Sequence, residues 1–215
     1  MGDDVSEAVE ESLAQETYGL LLAEITSARL AGGSVIQQRR LASQYAVSRS
    51  PMRHALSRLE GEGLLVRDER GVLCVRVITL KDYLNSLTMR MLLEPTAAAL
   101  AAPGADEEHV GRLLASLDII EADPEPDPEE VWRSDDALHD FIADHSDNPF
   151  MSATIAEMRR YTTIFERQMA LTRVKPGVAE HREIIMALAS HDAERARKAM
   201  ASHLEIVRQG VLSNY

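Results

Sequence analysis

The chain has 215 residues, 45% of them hydrophobic and 27% charged, and a formal net charge of −12. That is apolar material for one large domain or two small ones. No apolar run approaches the roughly 18 residues that span a membrane, and no secretory leader opens the sequence, so the expected compartment is the cytoplasm, with no membrane partner.

The lone cysteine, Cys74, excludes an intramolecular disulfide framework and suits a reducing compartment. It lies in a strand pattern and reads as a small buried apolar residue. An acidic total speaks against nucleic acid until it is divided along the chain. Residues 1–12 hold five acids and no base, residues 13–77 nine arginines against six acids, and residues 78–215 fourteen bases against twenty-four acids. A basic head on an acidic body is the asymmetry of a protein that meets DNA with its head alone.

Residues 1–12 lack hydrophobic periodicity and read as a disordered acidic tail. Leu13 to Leu30 reads as a helix, with Leu20, Leu21, Ala23, Ile25 and Ala28 as its apolar residues and Ala31-Gly32-Gly33 as its stop. Val35-Ile36 can supply a short strand. Leu41, Ala42, Tyr45 and Val47 then recur at helical spacing. Ser48 is placed as an N-cap, and Met52, Ala55, Leu56 and Leu59 form a second apolar stripe that ends at Gly61 and Gly63. Pro51 sits in the first turn of that helix, where a missing N–H costs nothing. Two short helices joined by a tight turn make a helix-turn-helix, whose second helix enters the major groove. Leu64 to Arg67 and Val72 to Val77, around a turn at Asp68–Gly71, read as a hairpin or wing.

The polar face of the second helix carries Ser48, Arg49, Arg53 and Arg58. Ser48 at the helix N-terminus can bond a phosphate oxygen. Arg49 and Arg53 can reach guanine edges. Gly71 lets the wing backbone come close to a duplex, and Arg58 and Arg70 are weaker phosphate candidates. With Arg39 ahead of Leu41-Ala42, the run Val47-Ser48-Arg49-x-Pro51-x-Arg53-x-Ala55-Leu56 and the exit Leu59-x-x-x-Gly63-Leu64, this third of the chain resembles the N-terminal domain of the GntR family of bacterial transcription regulators. The resemblance implies that the equivalents of Arg39, Arg49 and Arg53 contact DNA. The family usually has Glu where His54 stands and an acidic residue near Gln38.

Thr79–Lys81 is a junction without a Pro/Gly/Ser linker. From Asp82 the period is helical throughout: Asp82–Ala102, Asp106–Ile120, Val131–Ala143, Pro149 to about Leu171, Val178–Ala189 and Asp192 to about Leu212, with an exposed Pro/acid loop over residues 122–130. Domains are therefore expected at 13–78 and 79–215. The fold class is mainly α: a winged helix-turn-helix followed by an all-α antiparallel helix bundle.

Asp135 and His139 are four apart and share a helix face. His181 shares one with Ile184, Ile185 and Leu188, and His203 shares one with Met200, Leu204 and Val207. Three imidazoles and a carboxylate turned inward are expensive to bury unless paired or metal-bound, although any single inward histidine is more often a satisfied core residue. Such donors suit Zn²⁺, with Ni²⁺, Mn²⁺ or Fe²⁺ as alternatives. Arg90, near the inward face of its helix, is a candidate clamp for a carboxylate ligand and a candidate partner of Glu94, and the two roles are compatible. His109, His145 and His191 fall near helix ends or loops and receive no role.

Asp135-x-x-Leu138-His139, Asn148-Pro149, Glu180-His181, Asp192 and His203, with Tyr83, Arg90, Glu94 and Pro95 upstream, are similar to the FCD effector domain of the FadR-type branch. Leu138 stands where that pattern usually has Phe. The resemblance implies a divalent metal at Asp135, His139, His181 and His203, and a ligand-responsive regulator, by default a repressor. As a homodimer it would bind a double-stranded inverted-repeat operator and sense a small organic acid. Two rivals are weighed: a metal-free pocket whose histidines bind the ligand directly, and a metal-dependent hydrolytic enzyme, for which no nucleophile motif or second base is visible.

Overall fold

A computed structural model of the chain describes residues 2–169 and 177–213. The elements are α1 (Gly2–Thr26), α2 (Gln38–Gln44), α3 (Arg49–Gly61), β1 (Leu65–Arg67), β2 (Leu73–Val75), α4 (Leu80–Ala101), α5 (Glu107–Ala122), α6 (Pro128–Asp144), α7 (Pro149–Gln168), α8 (Val178–Ala189) and α9 (Ala193–Leu212). They form two compact units. One holds the residues up to Thr79 and the end of α7 from Thr163; the other holds Leu80–Thr162 and the helices after residue 177. Among the described residues no helix is long and apolar enough to cross a membrane.

In the first unit α1 packs on α3. Tyr18, Leu21 and Ile25 are buried from α1, and Met52, Ala55, Leu56 and Leu59 from α3. Leu20, expected inside, is 51% exposed, and Ala28 lies beyond the helix at φ 57°. The stripe follows Tyr18 because its hydroxyl donates to Glu62 at 2.7 Å and its ring lies under the Arg58 guanidinium, 3.6 Å away. α1 also begins at Gly2, so residues 2–12, read as a tail, continue the helix. Acids at a helix N-terminus complement its dipole, a term that hydrophobic periodicity does not register.

The turn from α2 to α3 places Ala46 in the left-handed region at φ 52° and returns the Val47 amide to the Ala42 carbonyl at 3.0 Å. Ser48 occupies the N-cap position of α3 in extended conformation, but its side chain makes no capping bond. The wing pairs Leu65 with Val75, Val66 with Cys74 and Arg67 with Leu73 in antiparallel register. Val35 adds a bridge to Cys74, so the third strand exists as a single pair, and Cys74 is half-buried and not fully enclosed. At the wing tip the Asp68 carboxylate accepts from the Arg70 and Val72 amides, and Gly71 takes φ 78°.

The second unit is a helical bundle in which α4 packs on α9, α9 on α8, α8 on α5, and α6 on both α4 and α5. Ala97, Ala98, Ala101 and Ala102 are fully buried, so the end of α4 approaches its neighbours closely. Asp106, Asp127 and Asp192 cap α5, α6 and α9 through bonds to the amides of His109, Glu129 and Arg195. Because Asp127 caps and Pro128 fits the first turn, α6 starts three residues before the expected Val131. The expected end of α7 at Leu171 falls outside the described residues.

Arg58 is bound by Glu62 at 3.0 Å and Gln15 at 2.7 Å as well as by the Tyr18 ring. It belongs to the packing of α1 on α3, which corrects its reading as a phosphate contact. Arg58→Ala is expected to lower the stability of this unit by about 1 kcal/mol in urea unfolding, while DNA affinity changes less than about twofold.

Candidate metal centre and nucleic-acid interface

α6 carries Asp135 and His139 one turn apart, α8 brings His181 and α9 brings His203. Each of the four offers a ligand atom, and these atoms all lie within 4.8 Å of one another. The three histidines are between 1% and 3% exposed. Their ring centroids are 4.6 Å apart for His181 and His203, 5.4 Å for His139 and His203, and 5.7 Å for His139 and His181. Asp135 Oδ1 lies 3.5 Å from His181 Nε2 and 3.9 Å from His139 Nε2.

A second layer orients these donors. His139 Nδ1 lies 2.5 Å from Glu94 Oε2, and Glu94 Oε1 accepts from Arg90 Nε, also at 2.5 Å. Burial pushes the Glu94 carboxyl up, but Arg90 and then His139 outweigh it and hold it well below its usual range. An ionised Glu94 accepts only, so His139 Nδ1 carries a proton toward it and Nε2 is the ring atom left to the other ligand atoms. That Nε2 is buried and has no hydrogen-bond partner.

On the opposite side Arg159, 5% exposed, donates from Nη2 to Asp135 Oδ2 at 2.8 Å and to Asp136 Oδ1 at 2.5 Å. Burial would raise the Asp135 carboxyl, yet Arg159, His139 and His181 together hold it well below its ordinary value. Burial, reinforced by His181 and His139, pushes His203 well below its ordinary value and keeps it neutral. An ionised Asp135 carboxylate, a neutral His203 and an orphaned His139 ring nitrogen are donors that a divalent transition metal accepts, so the residues fit one.

The arginines of the first unit divide into two groups. Arg29, Arg58, Arg67 and Arg70 are paired with Glu24, Glu62, Glu60 and Asp68. Arg39 near the start of α2, Arg49 at the start of α3 and Arg53 one turn later are exposed, and among the described residues their side chains form no ion pair or hydrogen bond. Arg40, not singled out from sequence, is in the same state. The Ser48 hydroxyl makes no capping bond, and Gly71 is exposed with open space around it. The four arginine side chains are therefore cations without an internal partner among the described residues, whereas the Gly71 amide donates to the Asp68 carbonyl at 2.8 Å.

A family model for the FCD domain matches residues 85–206, and one for bacterial regulatory proteins of the gntR family matches residues 13–75. The chain belongs to the GntR family. The HTH-type transcriptional regulator LutR of Bacillus subtilis (strain 168) is 30% identical over 203 residues, which cover 81% of this chain and 89% of LutR. The HTH-type transcriptional repressor RspR of Escherichia coli (strain K12) is 25% identical over 202 residues, covering 92% and 88%. Among solved structures, E. coli McbR/YncC has the same fold, with a TM-score of 0.81 at 20% identity over 94% of this chain and 98% of that one. This GntR-family chain is therefore a DNA-binding transcription regulator with an FCD domain, and the hydrolase rival falls.

The structure brings the ligand atoms of Asp135, His139, His181 and His203 together. It commits Arg90, 5% exposed, to Glu94 and to the Thr162 hydroxyl at 3.0 Å, so of its two expected roles the pair with Glu94 is the one observed. Sequence reasoning missed Arg159 and Thr162. Ile155, Arg159, Thr162 and Glu166 are all buried and recur at spacings of four, three and four along α7. That stripe was the available signal. It also missed Gly177, where an added Cβ would lie 3.3 Å from His181 Nε2 and 3.4 Å from His203 Cε1. Glu94→Gln keeps an acceptor but removes the charge behind His139. It is expected to weaken zinc affinity about 10- to 100-fold in chelator competition, and unchanged affinity would remove Glu94 from the site.

Proposed function

We propose that this regulator binds an inverted-repeat operator as a homodimer and represses until a small organic acid reaches a metal held by Asp135, His139, His181 and His203. The observation that carries the reading is the cluster of four mutually close ligand atoms with an orphaned His139 Nε2, in a chain that also bears a winged head with unpaired arginines. In this reading residues 13–78 read DNA and residues 79–215 sense the acid and dimerise. Zn²⁺ is the first choice by donor type, ahead of Ni²⁺, Mn²⁺ or Fe²⁺.

When bound, the metal supplies a Lewis acid for a carboxylate oxygen. The chain's own residues do the rest. Glu94 fixes the His139 tautomer, Arg90 holds Glu94 in place, and Arg159 holds Asp135 with one oxygen left toward the imidazoles. Dimerisation follows from information content: one recognition helix reads too few base pairs for genomic specificity, and two heads on a two-fold axis read an inverted repeat. Arg49 and Arg53 read base edges, while Arg39, Ser48 and the Gly71 backbone meet phosphates. An acid can switch such a dimer only if it binds the two head arrangements with different affinity. RspR, a similar protein, is a transcriptional repressor, which supports repression as the default.

The test is fluorescence anisotropy on DNA from the protein's own upstream region, with and without a panel of small organic acids, beside metal analysis of untagged protein. Specific binding weakened by one acid is the expected result. His139→Ala is expected to lose the metal and the acid response and to keep DNA binding. Metal-free native protein that still responds to acid would pass the sensing role to the histidines themselves. Arg49→Ala and Arg53→Ala are each expected to cost about 1–3 kcal/mol of specific binding and to relax base preference. Arg39→Ala should weaken all sequences alike and reduce the salt slope by about 1.

A further inference from the structure

α8 opens against the donor set. Its N-cap is Gly177, in the left-handed conformation at φ 72°, so no side chain caps the helix. The amides of Val178, Ala179 and Glu180 donate to nothing among the described residues, and the Glu180 carboxylate, the acid of the first turn, makes no bond to them. The backbone at Gly177 lies so near the imidazoles that a Cβ there would sit 3.3 Å from His181 Nε2 and 3.4 Å from His203 Cε1. His181 folds back over its own first turn because its amide donates to the Gly177 carbonyl at 2.6 Å and helical side chains lean toward the N-terminus. The second observation is independent of the helix. His139, 1% exposed, turns an unpartnered Nε2 into the same space, within 4.8 Å of the His181 ligand atom.

Charge accounting points the same way. Arg90 balances Glu94, and Arg159 meets both Asp135 and Asp136, so these ion pairs together carry one negative charge. A divalent cation among these groups would leave net positive charge, beside a helix terminus that is itself positive and lined with free N–H donors.

We propose that the N-terminus of α8 is the anion seat of this site: the amides of Val178, Ala179 and Glu180 receive a small carboxylate, and Gly177 is glycine because a side chain would fill the space the carboxylate enters. This assignment rests on the metal-site reading for the cation and specifies where the acid's charge is held. It moves the carboxylate-binding role from Arg90, which is committed to Glu94 and Thr162, to backbone amides.

The test is an acetate titration of ¹⁵N-labelled, zinc-loaded, full-length protein. The largest amide shifts are expected at residues 178–180, following one dissociation constant. In Gly177→Asn, the new side chain tolerates the left-handed backbone and can cap those amides itself. With its zinc retained, that variant is expected to raise the acetate dissociation constant at least tenfold. Saturating acetate that leaves the three amides unmoved overturns the assignment, as does an unchanged constant in the zinc-retaining variant. If the wild-type chain takes up no zinc, the metal reading fails by itself. The same titration on metal-free protein then judges the helix terminus: shifts at 178–180 uphold it and their absence overturns it.

Discussion

Three imidazoles and the Glu94 carboxylate are buried within a helical bundle with the half-buried Asp135 carboxylate beside them, and the second unit is arranged around keeping them there. Each group would be costly alone, since a polar group taken from water without a partner loses several kcal/mol of solvation. The bundle meets this with two short chains of charge. Arg90, Glu94 and His139 form one; Arg159 and Asp135 form the other. They are tied at Thr162, whose hydroxyl accepts from Arg90 and donates to the Arg159 carbonyl at 2.9 Å. In a low dielectric such linked bonds strengthen one another, and a single broken member exposes the rest to the full desolvation cost. The registers of α4, α6, α7, α8 and α9 are therefore fixed by polar groups as much as by Leu138, Ile142, Ile184 and Leu204 around them.

The DNA-binding unit works by the opposite arrangement of charge. A chain with a net charge of −12 binds a polyanion because its cations differ in partnership and not because they are many. A paired arginine has spent its field on a neighbouring carboxylate, whereas an unpaired one displaces a counterion from the duplex. Arg67 tied to Glu60 stiffens the wing, and Arg58 joins α1 to α3. Arg39, Arg40, Arg49 and Arg53 are exposed and, among the described residues, form no ion pair.

The sequence was legible wherever one residue's environment follows from its own helix. The two apolar stripes, the Asp192 cap, the Gly71 turn and the i,i+4 spacing of Asp135 and His139 are all local facts. It was less legible where the decisive partner lies far along the chain. Arg159 is 24 residues from Asp135, and an arginine on an inward stripe contradicts the rule that charged side chains face water. Tyr18 displaced Leu20 from the core of α1 because a cation and a carboxylate on α3 reward a ring with a hydroxyl there. In the sequence Gly177 follows Lys175-Pro176, which by itself is only a turn signal. Its proximity to two imidazoles depends on α8 and α9 meeting, which no single-helix pattern encodes.

The local rules that fail do so around one point. Arg90 and Glu94 face inward on α4, Pro95 lies inside the same helix, Arg159 is buried on α7, and α8 begins uncapped at a left-handed glycine. A proline in mid-helix removes one backbone bond, and buried ion pairs replaced by apolar residues of similar volume often leave a protein as stable or more so. Stability therefore gives no reason for this concentration of charge, which an ordinary leucine-rich interior would avoid. What these departures share is their place around one unpartnered histidine nitrogen: two arginines, a glutamate and a left-handed glycine stand near His139 Nε2, an arrangement that folding alone does not call for.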